Sequence, residues 1–234
     1  MSIDLLDESI FEVNKNFKVT VSEIGNLKSK LIEIENFLVY PEKFVNFLSS
    51  FPIQERIIQG EIPRGFFPGY QTYLTYKFGE IEKCLKFIMH KEYGYEPRYI
   101  NFSYQLIDGN KKVYNQSNYP HCDELCIAGN LFLNTDEEID GKSGTAFYRV
   151  KETIEEAFFP NKCNYRKLRY GFLTPDLSLK SFMPIETNEK YELYHLSEIK
   201  FNKLNIYEGA LFHSPFIEPG RFRSNTRKSF SFVG

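Results

Sequence analysis

Pro120-His121-Cys122-Asp123 sets an imidazole and a carboxylate two positions apart. On an extended backbone residues two apart project from one face, so His121 and Asp123 can grip one metal ion while Cys122 points away. Ninety-two positions after His121, the run Gly209-Ala210-Leu211-Phe212-His213 delivers a second histidine to a strand end. One helix cannot close such a gap, whereas a β-sandwich that folds back on itself can. Two imidazoles and one carboxylate leave open positions that suit non-haem Fe(II). His2Asp with a water describes a zinc hydrolase equally well. A His-x-Asp pair also arises by chance on protein surfaces, so taken alone it is weak evidence.

Working outward, Arg227-Lys228-Ser229 opens a final β pattern 14 residues after His213. Arg227 and Ser229 share a face by the same two-residue period. A buried guanidinium fork with a hydroxyl beside it suits a carboxylate. A zinc hydrolase has no need of that grip. An iron enzyme that uses 2-oxoglutarate does, because the keto acid end chelates iron and the far carboxylate needs a cation. Arg221 and Arg223, in the loop around Glu218-Pro219-Gly220, compete for the role. Arg227 is preferred because it directly opens the terminal strand.

The rest of the chain supplies a scaffold for these residues. Hydrophobic residues make up 42% of the 234 positions and aromatics 17%, too much apolar surface for a disordered chain and enough for one substantial core. A formal net charge of −2 does not resemble the basic footprint of a general nucleic-acid binder, which disfavours nucleic acid and leaves local basic patches open. The acidic start Ser2-Ile3-Asp4 carries no basic leader and no long apolar run follows, so neither signal peptide nor membrane span is expected. Cys84, Cys122, Cys126 and Cys163 lack CxxC spacing and read as reduced thiols of a cytoplasmic protein.

Residues 1–31 read as an N-terminal arm or edge strand, and residues 32–234 as one domain. A strand is expected over 32–39, a helix from Pro41 to before Pro52, a loop over 60–69 and an amphipathic helix over 80–93. Strands are expected over 100–107, 125–133, 145–150, 181–185, 191–196, 206–212 and 228–233, with a short helix or turn over 152–158. That density of short strands after two helices implies an α+β, mainly β chain, its C-terminal part a sandwich or jelly roll. Gly144-Thr145 reads as a bend between strands, Arg149 as a strand end within possible reach of substrate, and His90 and His195 as structural.

On Pro120-His121-Cys122-Asp123, Gly144-Thr145-Ala146-Phe147-Tyr148-Arg149, Gly209-Ala210-Leu211-Phe212-His213-Ser214 and Arg227-Lys228-Ser229-Phe230-Ser231-Phe232-Val233, the chain resembles the Fe(II)/2-oxoglutarate-dependent oxygenase superfamily, in its prolyl-4-hydroxylase-like branch. Ile34-Glu35-Asn36-Phe37-Leu38 and Phe67-Pro68-Gly69-Tyr70 look more narrowly like an uncharacterised bacterial and phage family within it. The resemblance, over about residues 32–234, implies a double-stranded β-helix core with supporting N-terminal helices. It implies that His121, Asp123 and His213 are catalytic iron ligands, that Arg227 holds the 2-oxoglutarate C5 carboxylate and that Ser229 assists. Tyr104 is a candidate second hydroxyl for the cosubstrate, or else a packed strand tyrosine. The implied reaction consumes O2 and 2-oxoglutarate, releases succinate and CO2, and hydroxylates a C–H bond of a small-molecule or peptidyl substrate. Two rival expectations are a cupin-like metal hydrolase without 2-oxoglutarate and a non-catalytic jelly-roll binding module.

Overall fold

Along the last strand Arg227, Ser229 and Ser231 alternate with Lys228, Phe230 and Phe232, and this alternation sorts the molecule into layers. The computed structural model describes residues 7–52, 69–108, 120–123, 126–157, 187, 189–218 and 226–234. Its strands are β1 (Lys18–Ile24), β2 (Ser29–Glu35), β3 (Gly69–Leu74), β4 (Asn101–Asp108) and β5 (Ile127–Phe132), then β6 (Ser143–Val150), β7 (Tyr191–Glu198), β8 (Leu204–Glu208), β9 (His213–Ile217) and β10 (Thr226–Val233). Its helices are α1 (Pro41–Ser49) and α2 (Gly79–Tyr93). The fold is mainly β. The large sheet runs β1-β2-β8-β5-β10-β4-β3 and the small one β7-β6-β9, with antiparallel pairing between the neighbours.

Phe230 and Phe232 point from the large sheet into its helical cover. There they join Ile32, Ile34, Phe102, Leu131 and Ile206 from neighbouring strands, with Phe44 and Leu48 of α1 and Ile81, Leu85 and Met89 of α2. The helix residues recur at three- and four-residue spacing, so each helix turns one apolar stripe inward. Helix α1 opens on Pro41, whose missing N–H costs nothing at that position. Helix α2 stops at Gly94, left-handed at φ 65°, whose N–H bonds the His90 carbonyl. Phe230 lies 5.1 Å from Phe44 and 4.9 Å from Phe78, both edge-on. Pairs of this kind add about 0.5–1.5 kcal/mol beyond area burial.

The opposite face of the large sheet meets the small sheet and is far more polar. Across it Ser103, Ser231, Asn130, Asn205 and Glu33 stand in register on five adjacent strands. Asn205, fully buried, donates to Thr145 Oγ1 at 3.0 Å and to Ser197 Oγ at 3.3 Å. Ser197 and Lys203 both donate to Glu33 at 2.8 Å. Apolar packing between the sheets continues through Leu31, Ala128, Phe147, Tyr207 and Leu211.

Several expectations need correction. The edge strand offered for residues 1–31 is present as β1, but the expected arm–domain boundary at 31/32 falls inside β2. Strand β3 was not expected: Gly69 opens it, at the end of what reads as a loop. Of the strand expected over 206–212 only 206–208 is strand, the end of β8; a bend in which Leu211 N–H bonds the Glu208 carbonyl follows, and β9 begins at His213 in the other sheet. Residues 151–153 form a turn. Residues 60–68 and 181–185, and the turn expected after Asp108, lie outside the described residues. Among the described residues no helix is long and apolar enough to cross a membrane.

Candidate metal centre

The bend between β8 and β9 brings the triad together. His121 and His213 form an isolated antiparallel bridge, His121 N–H to His213 carbonyl at 2.9 Å and the reverse at 2.8 Å. Asp123 N–H bonds the Gly209 carbonyl at 2.8 Å, so its side chain turns to the same place. Gly209 is required there, since a Cβ would meet Cys126 Sγ at 2.5 Å and Asp123 Cβ at 3.2 Å. One ligand atom from each of His121, Asp123 and His213 lies within 4.8 Å of the others. His213 Nε2 is 3.2 Å from one Asp123 carboxylate oxygen, and His121 Nε2 is 3.9 Å from the other.

Each member of the triad is oriented for a cation. His213 is buried, and its Nδ1 faces the Leu211 carbonyl at 2.8 Å. A proton on Nδ1 leaves the Nε2 lone pair facing Asp123, the usual arrangement behind a metal-bound imidazole. Burial would raise the Asp123 carboxyl, but the two imidazoles outweigh it and hold the group ionised well below the usual carboxylate range. His121 is exposed, so one side of the cluster faces outward. An open site of this kind can accept a second ligand.

Beside the triad lies a second feature. Arg227 is 2% exposed and its Cζ sits 5.3 Å from the Phe132 ring centre. Among the described residues no carboxylate pairs with it, and its Nε has no hydrogen-bond partner. Burial pulls the guanidinium down to about 10. On the same face the fully buried Ser229 Oγ also has no partner among the described residues. An unpaired buried cation with an idle hydroxyl is costly in a folded protein. The pair therefore has the donor chemistry of a site for an anion.

Among the expected site residues, His121, Asp123 and His213 converge, and Arg227 and Ser229 share the face of β10 that is turned to the small sheet, to which His213 belongs. Tyr104 does not join them. It pairs with Phe230 and points into the helical layer, because its position on β4 has the opposite parity to Ser229. It is the packed strand tyrosine. Arg149 is tied to buried Glu156 at 3.5 Å and lies over the Tyr194 ring, so it braces the fold. Glu156 in turn accepts the Asn26 and Leu27 N–H groups of the β1–β2 turn. Arg221, Arg223 and Cys163 lie outside the described residues, and no disulfide joins Cys84, Cys122 and Cys126 to one another.

Sequence reasoning missed Tyr207 and Asn130. Tyr207 stands edge-on to the His213 ring at 4.8 Å, and Asn130 donates to its hydroxyl at 3.3 Å. The available signal was the alternation Asn205, Tyr207 on a strand that leads to the second histidine.

Fold and site together define a mainly β protein of two antiparallel sheets, with a clustered His-Asp-His centre and a buried arginine on a strand of the large sheet. The chain belongs to a family of unknown function, DUF6445, whose model matches residues 15–229. No curated protein matches it.

Proposed function

We propose that this chain is an Fe(II)- and 2-oxoglutarate-dependent dioxygenase built on a double-stranded β-helix. The observation that carries this reading is Arg227, a buried cation without a counter-charge among the described residues, on the inward face of the large sheet in a chain that also assembles a complete His2Asp cluster. The strand order supports the fold. In the large sheet β10 lies between β4 and β5, with β8 next, while β6, β7 and β9 face them from the small sheet. From β4 onward the chain wraps between the two layers in the manner of a jelly roll.

The donor set fits the group: three ligand atoms on one side of a cation, and a cationic grip for a dicarboxylate that chelates the same ion. Bound Fe(II) with O2 would supply oxidising power to convert 2-oxoglutarate to succinate and CO2 and to hydroxylate a C–H bond. His121, Asp123 and His213 hold the ion and leave its other positions open. Arg227 and Ser229 fix the far carboxylate and so orient the keto acid. Phe147, Tyr207 and Leu211 wall the site with apolar surface that excludes water. A small-molecule or peptidyl substrate would enter on the exposed His121 side.

The test is iron-dependent succinate formation from 2-oxoglutarate with ascorbate across a panel of substrates. Slow turnover without substrate is expected, and Asp123→Ala should abolish it. Folded, metal-loaded protein that fails to bind 2-oxoglutarate would sink the proposal, and a hydrolase or binding module would replace it.

A further inference from the structure

The outer edge of a β-sheet offers N–H and C=O groups to any strand that approaches, and proteins blunt such edges with bulges, prolines or covering chain. In the small sheet the pairing of β7 shifts register opposite Phe147 and Tyr148, while β9 carries Pro215 and is bridged at its start by His121. On β3, Tyr70, Gln71 and Tyr73 all have partners. Strand β1 has neither bulge nor proline. Its seven residues pair with β2 in unbroken register, and among the described residues no strand pairs with its other edge.

The side chains of β1 are equally open. Val19 and Val21 stand opposite Ile34 and Ile32 of the buried helix-side layer, yet they are 46% and 49% exposed, so the apolar face runs on past its helical cover. Toward its two ends the strand carries opposite charges, Lys18 and Glu23, both exposed. Their cross-strand neighbours are committed elsewhere. Glu35, across from Lys18, pairs with Lys200 at 2.8 Å, and Lys30, across from Glu23, pairs with Glu92 at 3.3 Å.

We propose that β1 pairs antiparallel with β1 of a second copy of this chain, about a two-fold axis at Thr20, so that two large sheets become one. In this register Thr20 faces its own counterpart, a favoured cross-strand pair. Val19 lies against Val21 of the partner subunit, and both leave water. The Lys18 end of each strand meets the Glu23 end of the other, whereas a parallel arrangement would bring like charges together. A two-fold interface requires this self-complementarity, which selects a second copy over an unrelated strand. One strand edge buries less than the roughly 1,200 Å² of a stable interface, so the dimer is reversible. The inference is independent of the dioxygenase reading.

The experiment is sedimentation velocity on the full chain at low ionic strength, from about 1 to 200 μM. The parent should pass from monomer to dimer within that range. Val21 is exposed, so Val21→Lys should keep its circular dichroism spectrum while dimerisation weakens at least about tenfold. Lys18→Glu and Glu23→Lys should each weaken it about three- to tenfold, and the double exchange should return to within about threefold of the parent. A parent that stays monomeric throughout, or a dimer that Val21→Lys leaves unchanged, overturns the inference. A double exchange no better than either single change overturns it as well.

Discussion

Arg227 separates stability from function. A charge buried without a partner destabilises the folded state, and an apolar side chain of similar length removes that cost. Arg227→Met should therefore raise the unfolding free energy of the ligand-free protein by roughly 1–3 kcal/mol in urea melts. The same change should weaken 2-oxoglutarate by about 30- to 800-fold, roughly 2–4 kcal/mol. A less stable variant would mean that the arginine serves the fold. The triad and Arg227 were legible in the sequence because strand alternation alone predicts that His121 with Asp123, and Arg227 with Ser229, share a face. Tyr104 was left between two readings for a related reason. Its face depends on register across to β10, where it meets Phe230 and not Ser229, and a single sequence does not contain that pairing.

At the scale of elements, the bend between β8 and β9 does most to build the site. It was illegible because Ile206 to Phe212 stays apolar from the end of β8 through the bend, Glu208 and Gly209 apart. Only the close approach of Asp123 and Cys126 to Gly209 shows why the chain turns there. Gly209→Ala should push Cys126 and Asp123 away and lower Ni(II) affinity at least about tenfold, with roughly 1–3 kcal/mol lost in stability. Adding Cys126→Ala removes the nearer obstacle, so calorimetry on the double variant should recover part of the affinity. Unchanged metal binding in Gly209→Ala would show that the bend does not position the carboxylate.

Strand β2 contributes a pH-dependent tie to the small sheet. Burial would raise Glu33, but bonds from Lys203 and Ser197 outweigh it, and its pKa falls below the ordinary 4.5. A lowered carboxyl stabilises the fold above that value and loses its contribution as pH falls through the folded value. Wild type should exceed Glu33→Gln by about 1 kcal/mol at neutral pH. The gap should close as pH drops below 4.5, read from melts at matched ionic strength. A gap independent of pH would mean that Glu33 contributes by packing.

For the whole molecule, the helix-side layer carries the bulk of the apolar packing and the facing layer carries the chemistry. Phe44 is fully buried against Phe11, Phe78 and Phe230. Phe44→Ala should cost about 3–5 kcal/mol. Where the variant still folds, its metal and keto acid affinities should match the parent, because the large sheet stands between the two layers. Helix α2 and strands β4 to β7 were readable because local periodicity decides them. Strand β3 and the division into two sheets depend on distant partners.

The reciprocal bridge between His121 and His213 joins positions 92 residues apart in the chain. An ion held there would act as a removable staple, closing a long loop that thermal motion would otherwise open. Loop-closure entropy grows with the length enclosed, and a ligand that binds only the folded form stabilises it in proportion to its saturation. Metal supply would then govern how long each molecule survives proteolysis as well as how fast it turns over, and a metal-starved cell would hold fewer copies of the protein.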